Sequence, residues 1–308
     1  MISPGKILYE AYYRPVSQIR KIMGTGIINS YKMEKDRKEM VKASNSLKEI
    51  KYNATPSFEV YFLTGKKYWY QTAFCLYSLQ KQSQLNIQAV IVDDGSFDEA
   101  LEQQVKEQFP SSKLIKKEQI EILLDEHLPE SRYPTLRARR VEYPHLRKLT
   151  DIHILPGKDW KMVLDSDMLF FHKPNQLIQN LKKPDKMLFM EDVEDAYGYP
   201  VPFLRELSGV KSFPERLNVG ITWMPSSSIN WNELESWNKQ TIEKMGTSYL
   251  QEQALTAMIA AGNEYELLPA GTYKVMPQIN SCPVNEILHH YVADSKYDYF
   301  VKGWKIAL

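Results

Sequence analysis

From residue 56 onward, short apolar runs alternate with segments whose apolar positions recur every three or four residues. Phe58 to Leu63 reads as a buried strand ending at Thr64-Gly65, and Tyr68 to Gln80 as a helix. Ile87 to Val92 is a second buried strand, ending at Asp93-Asp94-Gly95-Ser96. Asp98 to Gln108 reads as a helix stopped before Pro110, and helical periodicity returns at Lys117 to Leu128 and Leu146 to Ile154. A strand around Met162 follows, then strands at Met187 to Met190 and Val219 to Trp223. Leu250 to Ala261 is a helix ended by Gly262-Asn263, and Glu266 to Leu268 is a late strand. This alternation predicts an α/β fold, a mostly parallel Rossmann-like sheet with helices on both faces. Ligands of such sheets bind at the carboxyl ends of the strands. Thr64-Gly65, Asp93-Asp94 and Asp165-Ser166-Asp167 all fall at such ends.

Residues 1–54 follow a different pattern. Eleven basic residues stand against five acidic ones, a local charge of +6, and Glu34 to Lys51 has helical periodicity with Met40, Val41, Leu47 and Ile50 as sparse apolar points. The expected organisation is a basic, mainly helical extension over 1–54 and one domain over 55–308. A solvated helix packed on that domain is the favoured reading, with a basic helix that touches a membrane or partner as the alternative.

Whole-chain composition narrows the classes. The net charge of +1 gives no bulk pull toward nucleic acid or an anionic membrane. Cys75 and Cys282 match no metal or redox spacing, which favours a reducing compartment. No apolar run reaches transmembrane length and no signal-peptide core follows Met1, so a cytoplasmic protein is expected.

The chemistry concentrates at Trp160 to Phe171, where a buried strand runs into Asp165-Ser166-Asp167 and apolar residues resume at once. Unpaired carboxylates are costly to bury. In extended chain, i and i+2 project to one side, so both could face one hard divalent cation, which would hold a phosphorylated substrate. At Asp93-Asp94 a carboxylate could accept from a base N–H or from ribose hydroxyls, or it could cap the following turn. An aspartyl-nucleophile phosphatase also pairs a strand with two aspartates, but near its chain start and followed by Gly-Thr.

The second half resembles the retaining family-eight glycosyltransferases, relatives of glycogenin and the bacterial lipooligosaccharide galactosyltransferases. Lys148-Leu149 stands for the family's Arg-Leu, followed by Leu155-Pro156, the Asp165-Ser166-Asp167 triplet and Asn218-Val219-Gly220 for Asn-X-Gly. Glu252-Gln253 stands for Asp-Gln, and His290 to Lys296 for His-X-X-Gly-X-X-Lys, with Ala293 in place of the glycine. The motifs fall in family order. Thr64-Gly65, Ser78-Leu79 and Asp93-Asp94-Gly95-Ser96 instead resemble the inverting family-two enzymes. Both families share the nucleotide-diphosphosugar transferase fold of GT-A type.

The resemblance implies a metal-dependent transferase that takes a sugar from a nucleotide-diphosphosugar, UDP-linked by expectation, to a saccharide, lipid or protein acceptor. It implies Mn²⁺ or Mg²⁺ held by Asp165, Asp167 and His290. Thr64, Asp93, Asp94, Lys148, Asp165, Asn218, Gly220 and Lys296 would bind the donor, and Glu252 and Gln253 would serve catalysis. Glu191-Asp192 is expected to line the acceptor pocket, and the Glu194 to Pro200 segment to form a flexible acceptor loop. A nucleotidyltransferase is the competing enzyme class, but Thr64-Gly65-Lys66-Lys67 is too short to cradle a triphosphate. A non-catalytic sugar-nucleotide-binding relative is the third reading.

Overall fold

The computed structural model describes residues 26–53 and 57–308. Its centre is a seven-stranded sheet of order β3-β2-β1-β4-β7-β6-β8. These strands are β1 (Phe58–Thr64), β2 (Ile87–Asp93), β3 (Lys113–Ile115), β4 (Trp160–Leu164), β6 (Met187–Glu191), β7 (Leu217–Pro225) and β8 (Tyr265–Leu268). β7 runs antiparallel to both neighbours, whereas the other pairs are parallel. One apolar cluster, containing Phe62, Phe74 and Trp304, covers one face, and a second, containing Val90, Leu146 and Leu255, covers the other. The nearly continuous buried runs of β4 and β7, broken only at Trp160 and Pro225, follow from that double cover. The predicted sheet and its flanking helices are therefore present.

A second sheet of order β5-β10-β9 joins β5 (Met168–Phe170), β9 (Tyr273–Val275) and β10 (Leu288–His290). Three-residue strands are too short to show a period, and the sequence pattern did not signal them. The junction of the two sheets creates the site. The chain leaves β4 in the large sheet and enters β5 in the small one across Asp165-Ser166-Asp167. Asp165 N–H donates to Gly220 O at 2.9 Å, and Asp167 O accepts from Tyr291 N–H at 2.9 Å. The triplet is thus clamped between β7 and the end of β10.

The β6–β7 register shifts between Phe189 and Met190, where partners step from Thr222 to Asn218. This bulge carries Asn218-Val219-Gly220 beside the triplet, a common role for bulges near sites.

The N-terminal helix spans Ile27–Ser44, earlier than the periodicity over 34–51 suggested. Leu47 and Ile50 come after it, in non-helical chain tied to the domain by Ile50 N–H to Gln80 Oε1 and by Tyr52 N–H to Asn86 Oδ1. Asp98, read as the first helical residue, instead caps the helix Glu99–Gln108, accepting from Leu101 N–H. The predicted helix over 146–154 is a 3₁₀ turn (Pro144–Lys148) and a short helix (Thr150–His153). Among the described residues, no helix is long and apolar enough to cross a membrane. Cys75 is buried and Cys282 exposed, and neither forms a disulfide.

Candidate active site

Asp165, Asp167 and His290 converge, with candidate ligand atoms within 4.8 Å of one another. His290 Nε2 lies 3.5 Å from Asp165 Oδ2 and 3.3 Å from Asp167 Oδ1. That nitrogen is buried and has no hydrogen-bond partner among the described residues. A buried polar atom normally finds one. An unpartnered imidazole nitrogen facing two carboxylates matches a donor set that could hold a metal ion. Gly220 makes room for the ring, because a Cβ there would sit 2.4 Å from His290 Nδ1.

Each carboxylate also has its own ammonium group. Lys148 Nζ is 3.0 Å from Asp165 Oδ1, and Lys296 Nζ contacts Asp167 Oδ2. Burial alone would raise the Asp167 carboxyl, but Lys296 and His290 outweigh it and hold the group well below the usual carboxylate range. Lys148 Nζ is also 3.3 Å from Glu252 Oε2. The two pairings are unequal. Burial opposes the Lys148 charge, yet Asp165 and Glu252 together push its pKa above the ordinary lysine value. Glu252 is instead raised to about 7, by burial first, with Lys148 offsetting only part and Asp165 adding to the rise. Lys148 therefore stays charged chiefly for Asp165, and Glu252 sits close to neutrality.

Ser166, between the two acids, has its own partner. Its hydroxyl is 2.8 Å from Thr72 Oγ1, which is 2.8 Å from Thr64 Oγ1. This chain of hydroxyls, buried at Thr64 and Thr72, ties the triplet to β1 and to the helix Trp69–Ser83. Thr64, expected at the donor, is thus turned toward the triplet, with its hydroxyl committed. Asp93 Oδ1 accepts from the backbone N–H groups of Gly95, Ser96 and Phe97, and that oxygen organises the turn. Asp94 Oδ1 accepts from Ser96, and a Cβ on Gly65 would sit 2.0 Å from it, so Gly65 lets β1 and β2 end close together. Arg147 Nη1 donates to Asp94 O at 2.7 Å and joins this turn to the 3₁₀ turn bearing Lys148.

Gln253 Nε2 donates to Ala196 O at 2.7 Å and to Asp192 Oδ2 at 3.2 Å, away from the carboxylate cluster. Of the Glu252-Gln253 pair, Glu252 is the member that contacts Lys148. Asp192 also accepts from Asn218 Nδ2 at 2.8 Å, so it braces the site from behind. Glu191 instead pairs with Arg216.

The sequence did not single out His145 or Tyr249. His145 precedes Lys148 by three residues, and Tyr249 precedes Glu252 by three. Their rings meet at 5.1 Å, edge to face. Tyr249 is 72% exposed, and its phenol is raised by desolvation and then by the Asp165 and Asp167 charges, which marks it as their neighbour. Two aromatic residues placed three ahead of charged ones were the available signal.

Solved structures share this architecture. Mouse xyloside xylosyltransferase 1, in its apo form, superposes with a TM-score of 0.52 at 14% identity, over 76% of this chain and 97% of that one. The galactosyltransferase LgtC, in complex with donor and acceptor sugar analogues, gives 0.52 at 12% identity, over 81% and 95%. The bifunctional glycosyltransferase WbbM gives 0.52 at 12%, over 83% of this chain and 50% of that one. The chain has the GT-A glycosyltransferase fold. In this GT-A fold the Asp-Ser-Asp triplet lies where β4 leaves the large sheet, with β1, β2 and β6 ending around it. No family model and no curated protein matches the chain. Identities of 12–14% carry the fold and leave the reaction to be argued from the residues.

Proposed function

We propose that this protein is a metal-dependent glycosyltransferase that uses a nucleotide-diphosphosugar donor, UDP-linked in our reading. One observation carries the proposal: the buried, unpartnered Nε2 of His290 faces Asp165 and Asp167 at the junction of the two sheets. Asp165, Asp167 and His290 would hold Mn²⁺ or Mg²⁺, which supplies Lewis-acid stabilisation of a diphosphate leaving group when bound. Lys296 lies beside Asp167, where its ammonium can neutralise phosphate charge. Lys148 keeps Asp165 ionised and oriented. Glu252 is the carboxyl group suited to stabilise a cationic sugar centre or to move the acceptor proton, since burial holds its pKa at about 7. Asp94, with Arg147 against its carbonyl, is the group proposed to meet the nucleoside.

The acceptor is proposed to be a saccharide, free or carried on lipid or protein, that packs on the His145–Tyr249 rings, because aromatic faces suit the C–H faces of a pyranose. A cytoplasmic protein is our reading, and peripheral contact with the inner face of a membrane is the second one, which the exposed Ile27, Ile28 and Tyr31 beside Lys32 and Lys35 on the helix Ile27–Ser44 favour.

The test is ligand-dependent melting. UDP should raise the melting temperature only in the presence of Mn²⁺ or Mg²⁺, by an amount that grows with UDP concentration. Asp167→Asn should abolish this metal dependence and the slow hydrolysis of UDP-sugars while remaining folded. Equal stabilisation by UDP in excess chelator would remove the metal from the proposal.

A further inference from the structure

Behind the metal ligands lies a closed set of buried polar groups. His290, Asn218, Asp192 and Gln253 are 2%, 6%, 7% and 5% exposed. His290 Nδ1 is 3.2 Å from Asn218 Oδ1. The orientation of the Asn218 amide is fixed from two sides. Its Oδ1 accepts from the backbone N–H of Gly220 at 2.9 Å, and a backbone N–H can only donate. Its Nδ2 reaches Asp192 Oδ2 at 2.8 Å, and a carboxylate can only accept. The amide cannot flip without setting donor against donor and acceptor against acceptor. The atom facing His290 is therefore an acceptor, and His290 must carry its proton on Nδ1. In the neutral ring this leaves the Nε2 lone pair pointing at Asp165 and Asp167.

We propose that Asn218, Gly220 and Asp192 form a tautomer-setting relay that prepares His290 as a metal ligand. Asn218 fixes the proton on Nδ1. Asp192 fixes Asn218, and its own Oδ1 is held by Val193 N–H at 2.8 Å. Gly220 leaves the space that the ring occupies. The sequence resemblance gave Asn218 and Gly220 to the donor. This relay gives them a second task and adds Asp192 as a positioning residue. Because Gln253 donates to the same Asp192 oxygen, the relay also links the metal ligand to the helix bearing Glu252. Outer-shell partners of this kind usually tune metal affinity by about 10- to 100-fold. The inference rests on the metal-site reading above, and the experiment separates the two.

Two measurements test it. The first uses ¹⁵N-labelled wild-type protein without metal at about pH 9, above the ordinary imidazole range. Long-range ¹H–¹⁵N correlations of the His290 ring, assigned by their loss in His290→Gln, should show the proton on Nδ1. A proton on Nε2 overturns the relay. The second follows Mn²⁺ binding without nucleotide, by the paramagnetic resonance of free Mn²⁺. Asn218→Leu should weaken binding by about 10- to 100-fold. Asp192→Asn, whose N–H₂ must face either the Val193 N–H or the Asn218 and Gln253 donors, should weaken it by less. If His290→Gln binds Mn²⁺ like wild type, the metal-site reading fails. If His290→Gln loses binding while Asn218→Leu and Asp192→Asn keep wild-type affinity, the site stands and the relay is refuted. Should Asn218→Leu not fold, Asp192→Asn and the wild-type proton position still decide the matter.

Discussion

Glu252 offers a residue-scale test that needs no ligand. Its carboxyl rises from an ordinary 4.5 to about 7, chiefly through burial. A raised acid pKa means that the folded state binds the proton more tightly than the unfolded chain. This carries no penalty below pH 4.5, and a cost that accumulates until pH passes 7. The group should therefore remove roughly 3 kcal/mol of stability across that window. Glu252→Gln should flatten the decline, as read from urea unfolding at a series of pH values with chelator present. An unchanged slope would show that Lys148 keeps Glu252 ionised. Asp167 has the opposite sign, since its depressed pKa makes its contribution disappear as pH falls. The carboxylates were legible in the sequence because an acidic pair closing an apolar strand demands partners. The uses of Thr64 and Asp93 were less so, because Oδ1 of Asp93 serves three N–H groups of its own turn and the Thr64 hydroxyl serves Thr72. Asp192 could be read only as pocket lining, because its partners Asn218 and Gln253 lie 26 and 61 residues away.

At the scale of elements, the 3₁₀ turn Pro144–Lys148 and the start of the helix Gln251–Ala261 do paired work. Each sends a charged side chain inward and an aromatic one outward, three residues apart. In a 3₁₀ turn such residues lie over one another, which sets His145 above Lys148. Tyr143 fixes the arrangement, since its hydroxyl donates to Tyr249 O and its ring is 5.2 Å from His145. Tyr249→Ala should raise the acceptor KM by about tenfold, equivalent to about 1.4 kcal/mol. Donor hydrolysis without acceptor should be unaffected. Equal loss of both rates would assign the ring to the donor. The long strands were legible from their apolar runs. β5, β9 and β10 were not, yet β10 delivers His290. Only the ordered motifs of the resemblance indicated that this histidine would return to the Asp165 triplet.

At the scale of the whole molecule, the question is how the basic N-terminal region relates to the domain. Its charge excess favours a solvated helix, and the outward residues Lys32, Lys35, Lys38 and Lys42 agree with that. Its few apolar positions decide the packing. Met40 and Leu47 are 0% and 4% exposed and belong to the cluster that contains Phe74 and Trp304. Lys305, next to Trp304, reaches back to Asp36 at 2.8 Å, and Gln108 Nε2 donates to Ser44 O at 2.5 Å. The helix therefore bridges the chain's last turn and the helix Glu99–Gln108, closing the face opposite the second cluster. Packing of a solvated helix on the domain was the favoured expectation, but the pattern did not mark how firmly it is held, because one methionine per several turns gives almost no periodic signal even when it is fully buried. Met40→Ala should cost roughly 2–5 kcal/mol in a single unfolding transition shared with the domain. Fluorescence from the six tryptophans, none of them in the helix, should report the same midpoint as circular dichroism. A loss under 1 kcal/mol, or two separated transitions, would instead make the helix an appendage that melts without disturbing the catalytic sheet.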